Sequence, residues 1–489
     1  MENQQETPIY EALLHHREKK ADSYHVPGHK QGENFVEHKD DLFQSILQMD
    51  QTEITGLDDL HHPSGVIARA ECLAAEAFGA GKTFYLVGGS TAGNIASILT
   101  MCLPGDQVIL QRSCHQSIFH GCMLAGVSPI YWTDTYDMYT GFEKPLDLDW
   151  LAEKCRQNKI KLVVITSPSY YGVIQPVREI ADICHQFDVA LLVDEAHGAH
   201  FGFHPDLPDS ALSQGADLVV QSTHKMLGSM TMSSMLHVGS SRARINDLER
   251  QLRVVQSSSP SYPLLASLDL ARKQVAVDGL NLFGRLLTEL DQFKKDTFPK
   301  CRWVQEYSLH HLVCRQDPCK MVIASGGQTS GIEMQTFLED KGIYTELADD
   351  RRVLFCFSLA HPEGSLTRLK KALLELDGWL GNRESKLFER NTLALQLPST
   401  TEFVLSFQEI RKYSQDRLKL EEAVEGIITE PIVPYPPGIP VLLPGERLTF
   451  EWMEYLRDAD QAGYRIRGLY QNQLTSEVSV NIVKNSFMD

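Results

Sequence analysis

Long apolar runs are missing from this sequence. Nowhere in its 489 residues do roughly eighteen apolar side chains follow one another, so no membrane-crossing helix is expected. Long basic runs are missing too, and with a net charge of −18 the chain is ill suited to general binding of a nucleic-acid backbone. The opening MENQQETPIY has neither the basic nor the apolar region of a secretory leader. Ten cysteines occur without a CxxC, which reads as reduced core thiols and not as a disulfide framework. A cytoplasmic protein is expected. HExxH is absent, and the pairs His61–His62, His310–His311 and His197/His200 lack the cysteines or second histidine pair of a structural zinc site. No metal is expected.

What is present is a globular composition, 43% hydrophobic and 22% charged, over a length that exceeds the usual size of one core. Four regions follow from the patterning. Residues 1–60 are polar and irregular. Residues 61–295 alternate helix and strand, with TFYLV (83–87), DQVIL, KLVVITS (161–167), ALLVDEAH (190–197) and ADLVVQS (216–222) as strands. These are near-continuous apolar runs, as in a mostly parallel sheet covered by helices on both faces. Residues 296–385 read as a smaller α/β domain. Residues 386–489 are richer in strands and carry PYPPGIPVLLPGE (434–446).

GAGKT (79–83) followed by DEAH (194–197) imitates a nucleotide triphosphatase. The complete phosphate loop needs glycine five positions before Gly81, where Glu76 stands, and a strand before it with a helix after it. Here the order is reversed, so a helix-ending glycine turn is expected instead.

Three features at the carboxyl ends of strands carry the chemistry together. GGSTAGN (88–94) forms a strand-to-helix turn where Ser90, Thr91 and free helix-start amides suit a phosphate. Asp194 ends a buried strand and needs a partner such as a protonated ring nitrogen. Lys225 is the only Asp, Glu, Lys or Arg between Asp217 and Arg242; neutral surroundings lower a lysine's pKa and free its amine for imine formation. Each alone has a plainer reading: an N-cap, a turn-capping aspartate, a loop lysine. A phosphate anchor, an acid for a pyridine nitrogen and an imine-forming lysine, in that order on a parallel sheet, are the requirements of pyridoxal 5′-phosphate.

STHKM, VDEAHGAHFGFHP, YHVPGHK (24–30), LDDLHHPSG (57–65), SPSYYGV (167–173) and PYPPGIPVLLPGE together resemble the Orn/Lys/Arg decarboxylases. The motifs come in that family's order and span nearly the whole chain. The resemblance implies a fold-type I pyridoxal-phosphate enzyme: a large mostly parallel-sheet domain, a smaller α+β domain and a C-terminal α+β domain. It looks like the short bacterial form, without a flavodoxin-like wing. It makes Lys225 the cofactor-bound lysine and Asp194 the partner of the ring nitrogen. Ser90, Thr91, Ser222 and His224 would hold phosphate. His115 would stack on the ring with Ala196 beneath it, and His197 would lie near the phenolic oxygen or the substrate carboxylate. QSSSPSY (256–262) resembles a stretch that reaches a neighbouring subunit's phosphate, which implies a homodimer or higher homo-oligomer with a shared site.

The implied reaction is decarboxylation of a basic L-amino acid, with arginine or lysine favoured and ornithine open, in polyamine metabolism. The proton returning to Cα would come from Lys225 or His224. Glu346 and Asp349, in GIYTELADD (342–350), are candidates for the substrate's distal cation. EEAVEGIITEP (421–431) departs from the family by lacking an arginine before PYPPGIP. Two rivals stand beside this reading. An aminotransferase on the same fold would need an arginine for the α-carboxylate, such as Arg351 or Arg352. A non-catalytic regulator of a decarboxylase would be expected to have lost Lys225.

Overall fold

The computed structural model describes residues 3–34, 41–132, 136, 142–307, 315–359, 361–382, 398, 403–435, 439–461, 463–471 and 477–484. His310, His311, residues 436–438 of the proline-rich motif and the expected boundary after residue 385 lie outside them. The chain forms two compact units, one comprising residues 1–102, 147–288 and 357–360, the other 103–146, 289–356 and 361–489.

The strands used below are β1 (Lys82–Leu86), β2 (Gln107–Gln111), β3 (Ser128–Trp132), β4 (Ile160–Thr166), β5 (Ala190–Asp194), β6 (Leu218–Gln221), β7 (Ser234–Val238), β8 (Gln305–Tyr307), β9 (Lys320–Ala324), β10 (Leu347–Ala348) and β11 (Arg352–Cys356). In the first unit they run β1-β7-β6-β5-β4. Strands β4, β5 and β6 are parallel, with Thr166 opposite Asp194 and Asp194 opposite Val220. The pairs β6–β7 and β7–β1 are antiparallel. All five residues of β5 are buried, which explains why its sequence does not alternate.

The helix Val66–Phe78 ends at Gly79, whose φ of +73° gives a left-handed C-cap. β1 follows, and Lys82 of GAGKT pairs with the buried Glu71 at 3.2 Å. The triphosphatase look-alike is therefore a helix end. The next helix, Gly89–Met101, differs from expectation, since it already starts inside GGSTAGN. Gly89, at φ +70°, turns the chain sharply and donates its N–H to Met232 O at 2.9 Å. Gly93 lets the helix lie directly on the sheet: a Cβ there would come within 2.7 Å of Leu86 Cδ1 and 3.0 Å of Val220 Cγ1.

In the second unit β2 and β3 pair in parallel, and the helix Gln116–Ala125 connects them. β10-β11-β9-β8 form an antiparallel sheet, accompanied by the helices Gly331–Glu339 and Ser365–Gly381. The C-terminal residues build a core of their own around Leu448, Trp452 and Leu456. No described helix is long and apolar enough to cross a membrane.

Candidate active site

The first unit gathers its chemistry where β5 and β6 end and where the helix Gly89–Met101 begins. Asp194 is almost wholly buried as the last residue of β5. Its Oδ2 accepts from Asn94 Nδ2 at 2.9 Å, and its Oδ1 from the Ala196 N–H at 3.1 Å. A buried carboxylate is tolerated because both oxygens have donors. Asn94, itself fully buried, is not evident as a site residue from sequence. A signal for it exists, because it lies in GGSTAGN five residues after Gly89 and so on the second turn of the helix.

β6 runs into the four-residue helix Thr223–Met226, which carries Lys225. Lys225 Nζ lies 3.0 Å from His197 Nε2 and 5.5 Å from the centre of the Tyr170 ring. Tyr170 in turn packs against His197, with ring centres 4.5 Å apart. The lysine isolated in sequence thus meets a buried imidazole and an aromatic face. Such a setting can exchange a proton with an amine and shield it from water.

Beside it, the Ser90 and Ser222 hydroxyls stand 2.7 Å apart, and Ser90 Oγ donates to Ser234 Oγ at 3.2 Å. Ser234 is not among the residues expected from sequence. It opens β7 directly opposite Leu86, the end of β1, and only the antiparallel register brings it here. Three hydroxyls at a helix N-terminus, with first-turn amides that the helix cannot satisfy, suit an anion. Thr91 is exposed on that same first turn. His224 is half-buried and donates from Nδ1 to Ser233 O at 2.8 Å, leaving Nε2 as the unprotonated nitrogen of the neutral ring. Burial, aided by the Lys225 charge and opposed by the bond to Ser233, lowers its pKa.

Glu195 does not stand out in the sequence, yet it is fully enclosed next to Asp194. It accepts from Gln221 Nε2 at 2.7 Å and from the Ala211 N–H at 2.9 Å. Burial pushes its pKa up to about 8. The folded chain therefore holds this proton more tightly than the unfolded one, so its contribution to stability falls as pH rises between about 4.5 and about 8. Chemical denaturation of Glu195→Gln at about pH 5 and about pH 8 is expected to show a smaller loss across that interval than the parent protein. Equal losses would remove Glu195 as its source.

Three of the residues expected to take part lie in the second unit. His115 caps the helix Gln116–Ala125, its Nδ1 accepting from the Ser117 N–H at 3.2 Å. Glu346 is exposed beside β10. Asp349 is buried and taken up internally. Its Oδ2 accepts from Arg352 Nη2 at 2.7 Å and Nε at 3.0 Å, while Oδ1 accepts the Arg351 and Arg352 N–H groups. That closed pairing does not fit the expectation of a carboxylate open to a substrate cation. It equally occupies Arg352, one of the arginines an aminotransferase would need.

A mostly parallel α/β sheet here brings together a buried acid at a strand end, a helix-start hydroxyl cluster and a lysine set against an imidazole and an aromatic ring, the makings of an enzyme site that holds an anion beside a reactive amine. The chain belongs to the Orn/Lys/Arg decarboxylase family, matching its major domain over residues 7–314 and its C-terminal domain over residues 389–479. It is a carboxy-lyase by that membership. It is 38% identical over 457 residues to the Bacillus subtilis protein YaaO, covering 92% of this chain and 93% of that one. It is 32% identical over 479 residues to the arginine decarboxylase of Halalkalibacterium halodurans, covering 96% of each. The solved Escherichia coli constitutive lysine decarboxylase shares its fold, with a TM-score of 0.86 at 21% identity over 98% of this chain and 82% of that one.

Proposed function

We propose that the chain removes the α-carboxylate of arginine or lysine, with ornithine as the less favoured substrate, to give CO2 and the corresponding amine for polyamine metabolism. The observation that carries this reading is Lys225, whose amine meets His197 at 3.0 Å while Asp194 ends the adjacent strand. The residues fit pyridoxal phosphate. Ser90, Ser222 and Ser234, with the helix-start amides, match its phosphate; Asp194, held by Asn94 and Ala196, matches its ring nitrogen.

When bound, that cofactor supplies the electron sink for the pair left at Cα as CO2 departs. Asp194 holds a proton at the ring nitrogen and so favours the charge that develops in the transition state. Lys225 supplies the amine that anchors the cofactor. His197 is placed to take or return a proton at Lys225 Nζ, and His224 or Lys225 delivers the proton to Cα. Tyr170 limits water around the amine. Glu346 is our candidate for the distal cation, because Asp349 is already paired. We place the enzyme in the cytoplasm as a homodimer or higher homo-oligomer, in keeping with the resemblance of 256–262 to a subunit-bridging stretch.

The deciding experiment incubates the purified holoenzyme with arginine, lysine and ornithine separately and identifies both products. Stoichiometric CO2 with agmatine or cadaverine is expected. A keto acid without CO2 would instead establish the aminotransferase.

A further inference from the structure

The threonine of GAGKT and the glutamate of DEAH, left unused by the proposed chemistry, are the two ends of one buried chain of hydrogen bonds within the first unit. Thr83, His237 and Gln221 are wholly buried, and Glu195 nearly so. Thr83 and His237 face each other across β1 and β7, with Thr83 Oγ1 lying 2.8 Å from His237 Nδ1. His237 Nε2 lies 3.1 Å from Oε1 of Gln221, the last residue of β6. Gln221 Nε2 in turn donates at 2.7 Å to Oε2 of Glu195, one residue past β5. The chain of bonds thus spans the neighbouring strands from β1 to β5.

The chain has a direction. Gln221 gives its donor to Glu195, so its carbonyl accepts from His237 Nε2. Burial pushes the His237 pKa down to about 3, so the ring carries a single proton and Nδ1 accepts from the Thr83 hydroxyl. Phe78 stacks on the imidazole, with ring centres 4.9 Å apart, and opposes its turning over. At the other end, the Glu195 N–H donates to Val220 O at 2.9 Å. Its carbonyl accepts from the Gly198 N–H at 2.8 Å, closing the turn that carries Ala196 and His197. That turn folds tightly over the Glu195 side chain, since a Cβ on Gly198 would come within 2.6 Å of Glu195 Cγ. The carboxyl group also takes the Ala211 N–H at 2.9 Å and the Ser210 hydroxyl at 3.3 Å. A buried group bonded on several sides fixes direction as well as distance.

We propose that Glu195, held by Gln221, His237 and Thr83, is a positioning residue for His197: the chain sets how the turn presents the imidazole to Lys225 Nζ, 3.0 Å from His197 Nε2. This rests on the reading that His197 exchanges a proton with that amine. Tyr170 bounds the imidazole on one side, with ring centres 4.5 Å apart, while the turn anchored by Glu195 fixes the backbone from which the imidazole projects.

The test is a cycle of Glu195→Met, His197→Asn and the double variant, prepared as holoenzyme. It reads kcat, KM and the visible circular dichroism of the bound cofactor without substrate, with thermal unfolding as a control. Glu195→Met keeps the length of the side chain and removes both acceptors. It is expected to lower kcat by roughly 10- to 100-fold, to change KM less, and to alter the dichroism. Glu195→Gln, which retains one acceptor, should recover part of the loss. In the His197→Asn background, Glu195→Met should change neither kcat nor dichroism further. Effects that multiply in the double variant overturn the proposal. So does a lower unfolding temperature with the kcat and dichroism of the folded holoenzyme unchanged. Should Glu195→Met not fold, the far end of the chain carries the test. Thr83→Val is expected to lower kcat by roughly 3- to 10-fold, the worth of one hydrogen bond, and Thr83→Ser to restore it. Thr83→Val with the parental kcat and dichroism overturns the proposal. His197→Asn with unaltered kcat and dichroism would remove the His197 reading and the proposal with it, a result distinct from a failed cycle.

Discussion

Replacing Lys225 by alanine is expected to abolish CO2 release from the preferred substrate, by more than about 10^4-fold, the upper end of what one proton-transferring group contributes. Two functions are lost together. On the proposed reading, the amine that would fix the cofactor disappears, and so does the proposed proton carrier within 3.0 Å of His197. The variant should fold, because Lys225 is only half-buried and sits on a four-residue helix whose backbone bonds do not need its side chain. Borohydride treatment supplies a second measurement. In the parent protein it should fix the cofactor irreversibly on the peptide containing residue 225, and in Lys225→Ala it should leave the cofactor removable by dialysis. Retained turnover in the variant would sink the assignment.

Asp194→Asn should be nearly as damaging, lowering kcat by roughly 10²- to 10³-fold, the usual cost of losing one preorganised electrostatic partner of the reacting centre. The asparagine is close to isosteric, so the packing of β5 should survive. Its amide, however, cannot accept at both ends. Asn94 Nδ2 and the Ala196 N–H both point at this side chain, and one of them would face an NH2 group. Binding of substrate should suffer less than turnover, because the lost interaction strengthens as charge develops. A raised KM with kcat unchanged would argue that Asp194 is a strand-end cap and nothing more. Asn94→Ala should reproduce a fraction of the same loss.

The parallel sheet could be read from sequence because burial on both faces leaves a plain trace: LVV and ALLV are apolar at every position. Asp194 and Lys225 were visible for the complementary reason, as ionisable groups standing where such runs stop. Partners fixed by strand register leave no such trace. Ser234 reaches Ser90 only because β7 returns antiparallel to β1, and nothing in SSMLHV announces that pairing. Asn94 is hidden when the helix is expected to start after it, since a turn ending at residue 94 gives no reason for its side chain to face β5. Asp349 looks like an open acid because the two arginines after it read equally well as exposed. The fold closes the chain on itself there, and Arg352 turns back to neutralise it. Glu195 is overshadowed by the aspartate before it, whose place at a strand end is the stronger signal.

Gly93 ties the electrostatics of the site to a purely steric contact. The helix that carries Asn94 rests on Leu86 and Val220 with no side chain between, and Leu86 is wholly buried with little room to turn in a densely packed core. One methyl group at position 93 would pry that helix off the sheet like a shim under a beam. The amide of Asn94 would rise with it and slacken its hold on Asp194. A mutation that alters no charge and touches no reactant would then register as a weaker acid partner at the ring nitrogen.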